Sequence, residues 1–345
     1  MFTQYEIDWY EDLLSSQAGN NEKSLRLALK YFERDPKNYQ ENYYSGYLSL
    51  SLNYVDKAIE IWEHIDDDLI DYPENVRKYW RLGNLSKAYC IAGQPQRALD
   101  LLEKHFPFSS GYWYGHWMKI RALVMLDRVQ DIRTMIKESS WHSPGFQAEI
   151  SFFACQEYYI QGKSDMVQEF GQLSIKYYED DLKKYDDNRN HYRAYQIGVL
   201  NYLMDNYSEA YVVFKSFIEK LDNSYVDEEL DDTWYPNLYT WALASQSKLL
   251  EEEAVINNNY LVGIELTGSD DPIGVGSPYE SRSYALAVAN AHLGNQDKAV
   301  ELLNTSFFEK GVFFNYNRYN YDPLLVPLFN NPSFQELVKP RAFKK

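Results

Sequence analysis

A helix–turn–helix pattern recurs along this chain and constrains its fold more than any other feature. It is clearest in four stretches, each with the end of one helix, a tight polar turn and a second amphipathic helix. They are LSLNYVDKAIEIW from Leu50, YCIAGQPQRALDLL from Tyr89, NYLMDNYSEAYVVF from Asn201 and AHLGNQDKAVELL from Ala291. Since a single hairpin cannot bury its own apolar face, the pattern predicts an array of helical hairpins that cover one another.

The hairpins share a register of small residues. Each second helix carries an alanine, and a small residue stands twelve residues earlier in the first helix, where it allows the two helices to approach closely. The clear pairs are Gly46 with Ala58, Ser86 with Ala98, Gly198 with Ala210 and Ala287 with Ala299; weaker copies pair Ile120 with Ile132, Cys155 with Val167 and Ala242 with Ala254.

The starts of the second helices carry residues that favour helix N-caps. Asp56, Ser208 and Asp297 each precede the anchoring alanine by two residues, and we expect them to accept the free amides of the new helix. An earlier helix pair is predicted at roughly Tyr5–Ser16 and Glu22–Arg34. The whole pattern gives about eight hairpins at intervals of roughly 34 to 45 residues.

These features resemble the tetratricopeptide repeat (TPR) family. The resemblance rests on the small first-helix residues, Tyr89 three residues after Ser86, the turn glycines Gly93 and Gly294, and the second-helix alanines. It implies an all-α, right-handed superhelical solenoid. The family's first-helix tryptophan is absent and the spacing is longer, so a related helical-hairpin solenoid is the alternative.

The segment YDPLLVPLFNNPSFQELV predicts the closing part of the array. Asp322–Pro323 and Asn331–Pro332 each combine an N-cap with a proline at the first helical position, so two short helices are expected. Their apolar faces would cover the exposed side of the last hairpin. We therefore divide the chain into a solenoid, 1–310, and a C-terminal cap and tail, 311–345. The sequence of this segment resembles the tail that closes many bacterial TPR arrays.

An aromatic stripe follows the first helices. Aromatic residues recur fifteen positions before the second-helix anchors, with Gly83 as the exception, and three more rings stand one turn earlier. Such a stripe either packs between hairpins or, as the TPR resemblance implies, lines a concave peptide-binding groove. The predicted groove residues are Tyr43, Trp80, Tyr114, Trp117, Phe152, Tyr192, Tyr195, Tyr239 and Tyr284.

Composition restricts the partner and the compartment. With 34 basic and 51 acidic residues the formal net charge is −17, which opposes binding to nucleic acid or anionic membranes. Cys90 and Cys155 are the two cysteines, so a disulfide framework is excluded and a reducing compartment is expected. The N-terminal residues lack a signal-peptide pattern, and no apolar run has membrane-spanning length, so we expect a cytoplasmic protein.

No motif for a cofactor or metal is present in the sequence. The six histidines are scattered. The acidic clusters Asp66–Asp68, Glu179–Asp181 with Asp186–Asp187, and Asp227–Asp232 lack calcium-loop spacing. We interpret these clusters as solvated turns and helix ends.

Two function classes remain. The first is a non-catalytic scaffold that holds a protein or peptide with apolar and basic side chains in an acidic groove, as part of a signalling or regulatory system. The alternative is a carbohydrate-active enzyme built as an α/α toroid, with Glu229, Asp231 or Asp232 in its carboxylate pair. The sequence leaves the oligomeric state open.

Overall fold

The computed structural model describes residues 11, 15, 20–36, 39–65, 76–105, 113–139, 144–184, 190–223, 238–249, 282–306 and 319–343. All regular structure in these ranges is helical, so the all-α prediction is confirmed for them. The chain divides into two compact units. The first unit comprises residues 1–132, 315–319 and 338–345, and the second comprises residues 133–314 and 320–337.

The first unit is a succession of helices in which each packs against the next. Its helices are α1 (Asn21–Arg34), α2 (Tyr39–Ser51), α3 (Val55–Glu63), α4 (Val76–Ile91), α5 (Pro95–His105) and α6 (Trp113–Met125). Helix α7 (Val129–Glu138) begins in this unit and ends in the second. Alternate helices also touch, α2 with α4 and α4 with α6. This sequential pairing is consistent with a helical repeat.

The second unit has the same kind of sequential helix packing. Its helices are α8 (Pro144–Ile160), α9 (Ser164–Lys184), α10 (Asn190–Leu203), α11 (Tyr207–Asn223), α12 (Leu238–Leu249), α13 (Arg282–His292) and α14 (Gln296–Ser306), followed by a 3₁₀ helix (Pro323–Leu328) and α15 (Pro332–Val338). Consecutive α-helices from α8 to α14 pack in pairs, and α8 also touches α10.

One turn conformation recurs between the helices of the hairpins. A residue with a left-handed backbone ends each described turn of this type, and glycine, asparagine and aspartate are the residues that tolerate that conformation best. At Gly93, Gly93 N donates to Cys90 O at 3.0 Å and Gln94 N donates to Tyr89 O at 2.8 Å. The left-handed residues are Asn53 (φ 66°), Gly93 (φ 70°), Asp127 (φ 57°), Gly162 (φ 67°), Asp205 (φ 66°) and Gly294 (φ 81°).

The N-cap prediction for the second helices is wrong because these turns are shorter than expected. Helices α3 and α14 begin at Val55 and Gln296, so Asp56 and Asp297 lie within the first turn. Helix α11 begins at Tyr207, and Ser208 donates to the carboxylate of Glu209. The aspartates still lie at the positive end of a helix dipole, where a negative charge is favourable.

The close helix approaches predicted at Gly46 and Gly198 are confirmed. A Cβ added at Gly46 would overlap the indole of Trp62, and one added at Gly198 would lie 2.8 Å from Val213 Cγ1. The anchoring alanines Ala58, Ala98, Ala210 and Ala299 have no exposed surface. The missing side chains of Gly46 and Gly198 therefore leave room for side chains of the second helix of each hairpin.

The 3₁₀ helix and α15 form from the predicted caps. Asp322 accepts a hydrogen bond from Leu324 N at 3.0 Å, and Asn331 accepts from Phe334 N at 3.0 Å. The 3₁₀ helix packs against α13, α14 and α8, and buries Leu324, Leu325 and Leu328 completely. That this segment closes an array, and that the chain divides near residue 310, stay predictions.

Candidate functional site

Three successive first helices of the first unit carry a group of aromatic side chains. Tyr43 lies on α2, Trp80 on α4, and Tyr114 and Trp117 on α6. Because α4 contacts both α2 and α6, these side chains form one surface, called here the aromatic face. The face contains four of the nine predicted groove residues.

A chain of hydrogen bonds crosses the aromatic face. Asn84 Nδ2 donates to Tyr43 Oη at 3.3 Å, and Tyr114 Oη donates to Asn84 Oδ1 at 3.0 Å. Asn84 is buried, so one amide holds a ring from each neighbouring helix in place. The sequence prediction does not include Asn84. The one sequence feature that could have pointed to Asn84 is its position in the middle of a first helix, beside the stripe position Gly83.

Gly83 explains how the face is assembled. A Cβ at this position would overlap the ring of Tyr114, so the missing side chain on α4 leaves the space that the ring fills. Tyr114 is consequently buried, with 7% of its surface exposed. The one non-aromatic position of the predicted stripe is thus the site where a ring from the next helix packs.

The rings around Tyr114 retain solvent access. The Trp80 ring lies 5.4 Å from the Tyr114 ring, centroid to centroid, and Trp80 is 39% exposed. Trp117 meets Tyr114 edge-on at 6.1 Å and is half-buried. Arg121 is buried, and its guanidinium lies 5.2 Å from the Trp117 ring centroid, a cation–π contact within the protein interior.

Tyr43 remains an un-ionised phenol at neutral pH. Burial, reinforced by the neighbouring Tyr47, raises the pKa of Tyr43 to about 12, although the hydrogen bond from Asn84 acts in the opposite direction. The face therefore presents neutral, polarisable rings with polar tips, which suit apolar and cationic side chains.

The predicted groove residues of the second unit are mostly enclosed. Phe152, Tyr195 and Tyr284 are 5%, 2% and 0% exposed, and Tyr284 Oη donates to Asp322 Oδ2 at 2.6 Å. Tyr192 is half-buried, and burial raises the pKa of its phenol. The side chain of Tyr239 lies outside the described residues. The structure thus separates a partly exposed set in the first unit from a set packed against neighbouring helices in the second.

Metal-ligating side chains are dispersed in the described part of the chain. No group of three or more histidine, cysteine, aspartate and glutamate side chains comes together in them as a metal site would require. Both cysteines are buried, and burial raises the pKa of the Cys155 thiol. The carboxylates of the enzyme alternative, Glu229, Asp231 and Asp232, lie outside the described residues.

Comparisons with known proteins add no family. No protein-family model matches the chain, and no curated protein sequence matches it. Within the described ranges, no helix has both the length and the apolar character to cross a membrane.

Proposed function

We propose that this chain is a non-catalytic, TPR-like solenoid that binds an extended peptide on its aromatic face. Two features support a solenoid of this type: the left-handed turn that recurs from Asn53 to Gly294, and the close helix contacts at Gly46 and Gly198. Repeat arrays of helical hairpins offer long surfaces built from their first helices. The aromatic face belongs to three such helices.

The observation that supports the proposal most is that Trp80 is exposed while its ring contacts a buried tyrosine. Trp80 keeps 39% of its surface exposed while its ring lies tilted beside that of Tyr114, which is hydrogen-bonded to Asn84. A large ring held in place loses little conformational freedom on binding, and such rings dominate the free energy of protein interfaces.

The partner that suits this face carries basic and apolar side chains. Neutral rings attract cations through their faces, and the net charge of −17 favours the approach of a basic segment at low ionic strength. A role for such binding in a signalling or regulatory system, in the cytoplasm, belongs to the same proposal.

A peptide-binding experiment tests the proposal. Peptides selected on the chain from a random display library are expected to be enriched in lysine, arginine and apolar residues. Trp80→Ala should weaken their binding by about 2 kcal/mol, roughly thirtyfold, as for an interface hot spot. Its stability should fall by about 2–3 kcal/mol, less than for a fully buried tryptophan, because the ring is already partly exposed.

A matched control is Val212→Ala on α11, which removes an exposed apolar side chain outside the aromatic face. This variant should bind the selected peptides unchanged. If no peptide is enriched, or if both variants bind equally well, the aromatic face is not a peptide site.

A further inference from the structure

A segment of this chain contacts the first unit away from the aromatic face. The C-terminal segment Val338–Phe343 lies on the turn between α2 and α3. Asn53 Nδ2 donates to Val338 O and to Lys339 O, both at 2.8 Å, and Arg341 N donates to Asn53 O at 2.8 Å. One asparagine therefore both donates to and accepts from the segment backbone, and its amide satisfies carbonyls at the C-terminal end of α15.

Side chains on either side of Asn53 contact the rest of the segment. Arg341 Nη1 lies 3.7 Å from Glu22 Oε1, and Tyr54 Oη donates to the same carboxylate oxygen at 3.0 Å. The Phe343 ring meets the Tyr54 ring edge-on, with 5.2 Å between centroids. Glu22, Asn53 and Tyr54 are called here the Asn53 site.

The turn conformation alone does not require this asparagine. Other turns of the same type use Gly93 or Gly294, which adopt the left-handed backbone without a side chain. Asn53 has no exposed surface, and its amide donates two hydrogen bonds outside its own hairpin. Its side chain thus adds recognition of the segment to the turn.

The segment is also suited to binding as an extended peptide. Pro340 fixes its own φ and restricts Lys339 to extended conformations, which lowers the entropy lost on docking. The next residues supply an arginine for Glu22 and, two positions later, an aromatic ring for Tyr54.

We propose that the Asn53 site is a peptide-binding site whose resident ligand is the C-terminal segment of this chain. It recognises two consecutive backbone carbonyls, then an arginine, then an aromatic ring two residues further on. Because the ligand is tethered, its effective concentration is about millimolar, and the attached segment excludes a free peptide of the same chemistry. Detachment of the segment opens the site.

The test uses full-length chains and a labelled peptide with the sequence of residues 337–345. The double variant Arg341→Glu, Phe343→Ala should release its own segment, seen as faster amide hydrogen exchange at residues 339–343, and should bind the peptide saturably in fluorescence anisotropy. The unchanged chain should bind the peptide at least about tenfold more weakly than the double variant does, since its own segment occupies the site.

Asn53 substitutions in that double variant test the recognition itself. Asn53→Asp keeps the shape and loses the donor, and Asn53→Gly keeps the left-handed turn without the amide; each should weaken peptide binding by about tenfold or more. Unchanged helical content in circular dichroism would show that the turn has survived. Trp80→Ala should have no effect, which separates this site from the aromatic face.

Several results would overturn the proposal. One is failure of the double variant to bind the peptide, and another is equally good binding by the unchanged chain. The others are binding that survives Asn53→Asp, and amide exchange at the segment that is the same in the double variant as in the unchanged chain. Each would mean that the segment is held by its chain connection rather than by a recognition site.

Discussion

We expect His292 to make the stability of the second unit sensitive to acid. It ends α13, where its Nε2 lies 3.0 Å from Leu324 O of the 3₁₀ helix and 3.1 Å from Tyr202 Oη. Burial lowers the pKa of His292 to about 3, and the charge of Lys248 acts in the same direction, against the hydrogen bond to Leu324. Folding therefore keeps this imidazole neutral.

The sign of the pH effect follows from proton binding. An unfolded histidine has a pKa of about 6.5, so below that pH the unfolded chain binds a proton that the folded chain does not. The free energy of unfolding should then fall by about 1.4 kcal/mol per pH unit, down to the folded pKa. At about pH 5 the accumulated loss is about 2 kcal/mol, and most carboxylates are still ionised there.

Urea unfolding followed by far-ultraviolet circular dichroism measures this loss. The unchanged chain is compared with His292→Gln, whose side-chain amide still donates a hydrogen bond but does not titrate. The unfolding free energies of the two chains are compared for the urea transition that the substitution shifts. Between about pH 7.5 and pH 5 the unchanged chain should lose about 2 kcal/mol more stability than the variant does. The other histidines contribute equally to the pH dependence of both chains, so their contributions cancel in this difference.

Parallel pH dependences for the two chains would refute the reasoning. They would mean that His292 has a similar pKa in the folded and unfolded states, and that the imidazole is hydrated rather than enclosed between α13 and the 3₁₀ helix.

Other substitutions test the packing. Gly46→Ala should cost about 1–3 kcal/mol in urea unfolding because the new methyl group overlaps Trp62, and an unchanged midpoint would contradict the close approach. Deleting 321–345 should lower the melting temperature and promote aggregation by exposing the apolar side of the last hairpin; a stable, monodisperse deletion would identify the segment as a dispensable tail. Tyr195→Ala should cost about 3–5 kcal/mol, since its ring is enclosed, and a loss below about 1 kcal/mol would place the ring at a surface.

The hairpin register was predictable because it depends on local patterns. Gly46 and Gly198 each meet side chains of the second helix of their own hairpin, so the pattern of small residues is contained within one hairpin of the sequence. Likewise, Asp322 forms its cap with groups one or two residues away, so the sequence contains the whole interaction. Predictions of this kind need no knowledge of the tertiary packing.

The burial of the aromatic rings was not predictable from periodicity. Tyr114 is enclosed because Gly83, on a different helix, has no side chain, whereas Trp80 on the same face stays exposed. Trp80 and Tyr114 occupy equivalent positions in the sequence pattern, and their exposure depends on the residues of the neighbouring helix. Only the pairing of a glycine with an aromatic stripe hinted at the difference.

Asp181 shows a second limit of local patterns. Its acidic cluster predicts a solvated helix end, yet the side chain is buried and pairs with Arg193 Nε at 2.6 Å. That interpretation is wrong for Asp181, because an acidic residue beside solvent and one facing a buried arginine look alike in sequence. The contact depends on how α9 packs against α10.

Fluorine NMR of the chain labelled with 5-fluorotryptophan tests peptide binding on the aromatic face most directly. The chain has 8 tryptophans, and substitution of Trp80, Trp117 and Trp62 by phenylalanine assigns their resonances. A selected basic peptide should shift the Trp80 and Trp117 resonances and leave that of Trp62, which is fully buried in the same unit, unchanged. Saturable binding that leaves the Trp80 and Trp117 resonances in place would contradict peptide binding by this face.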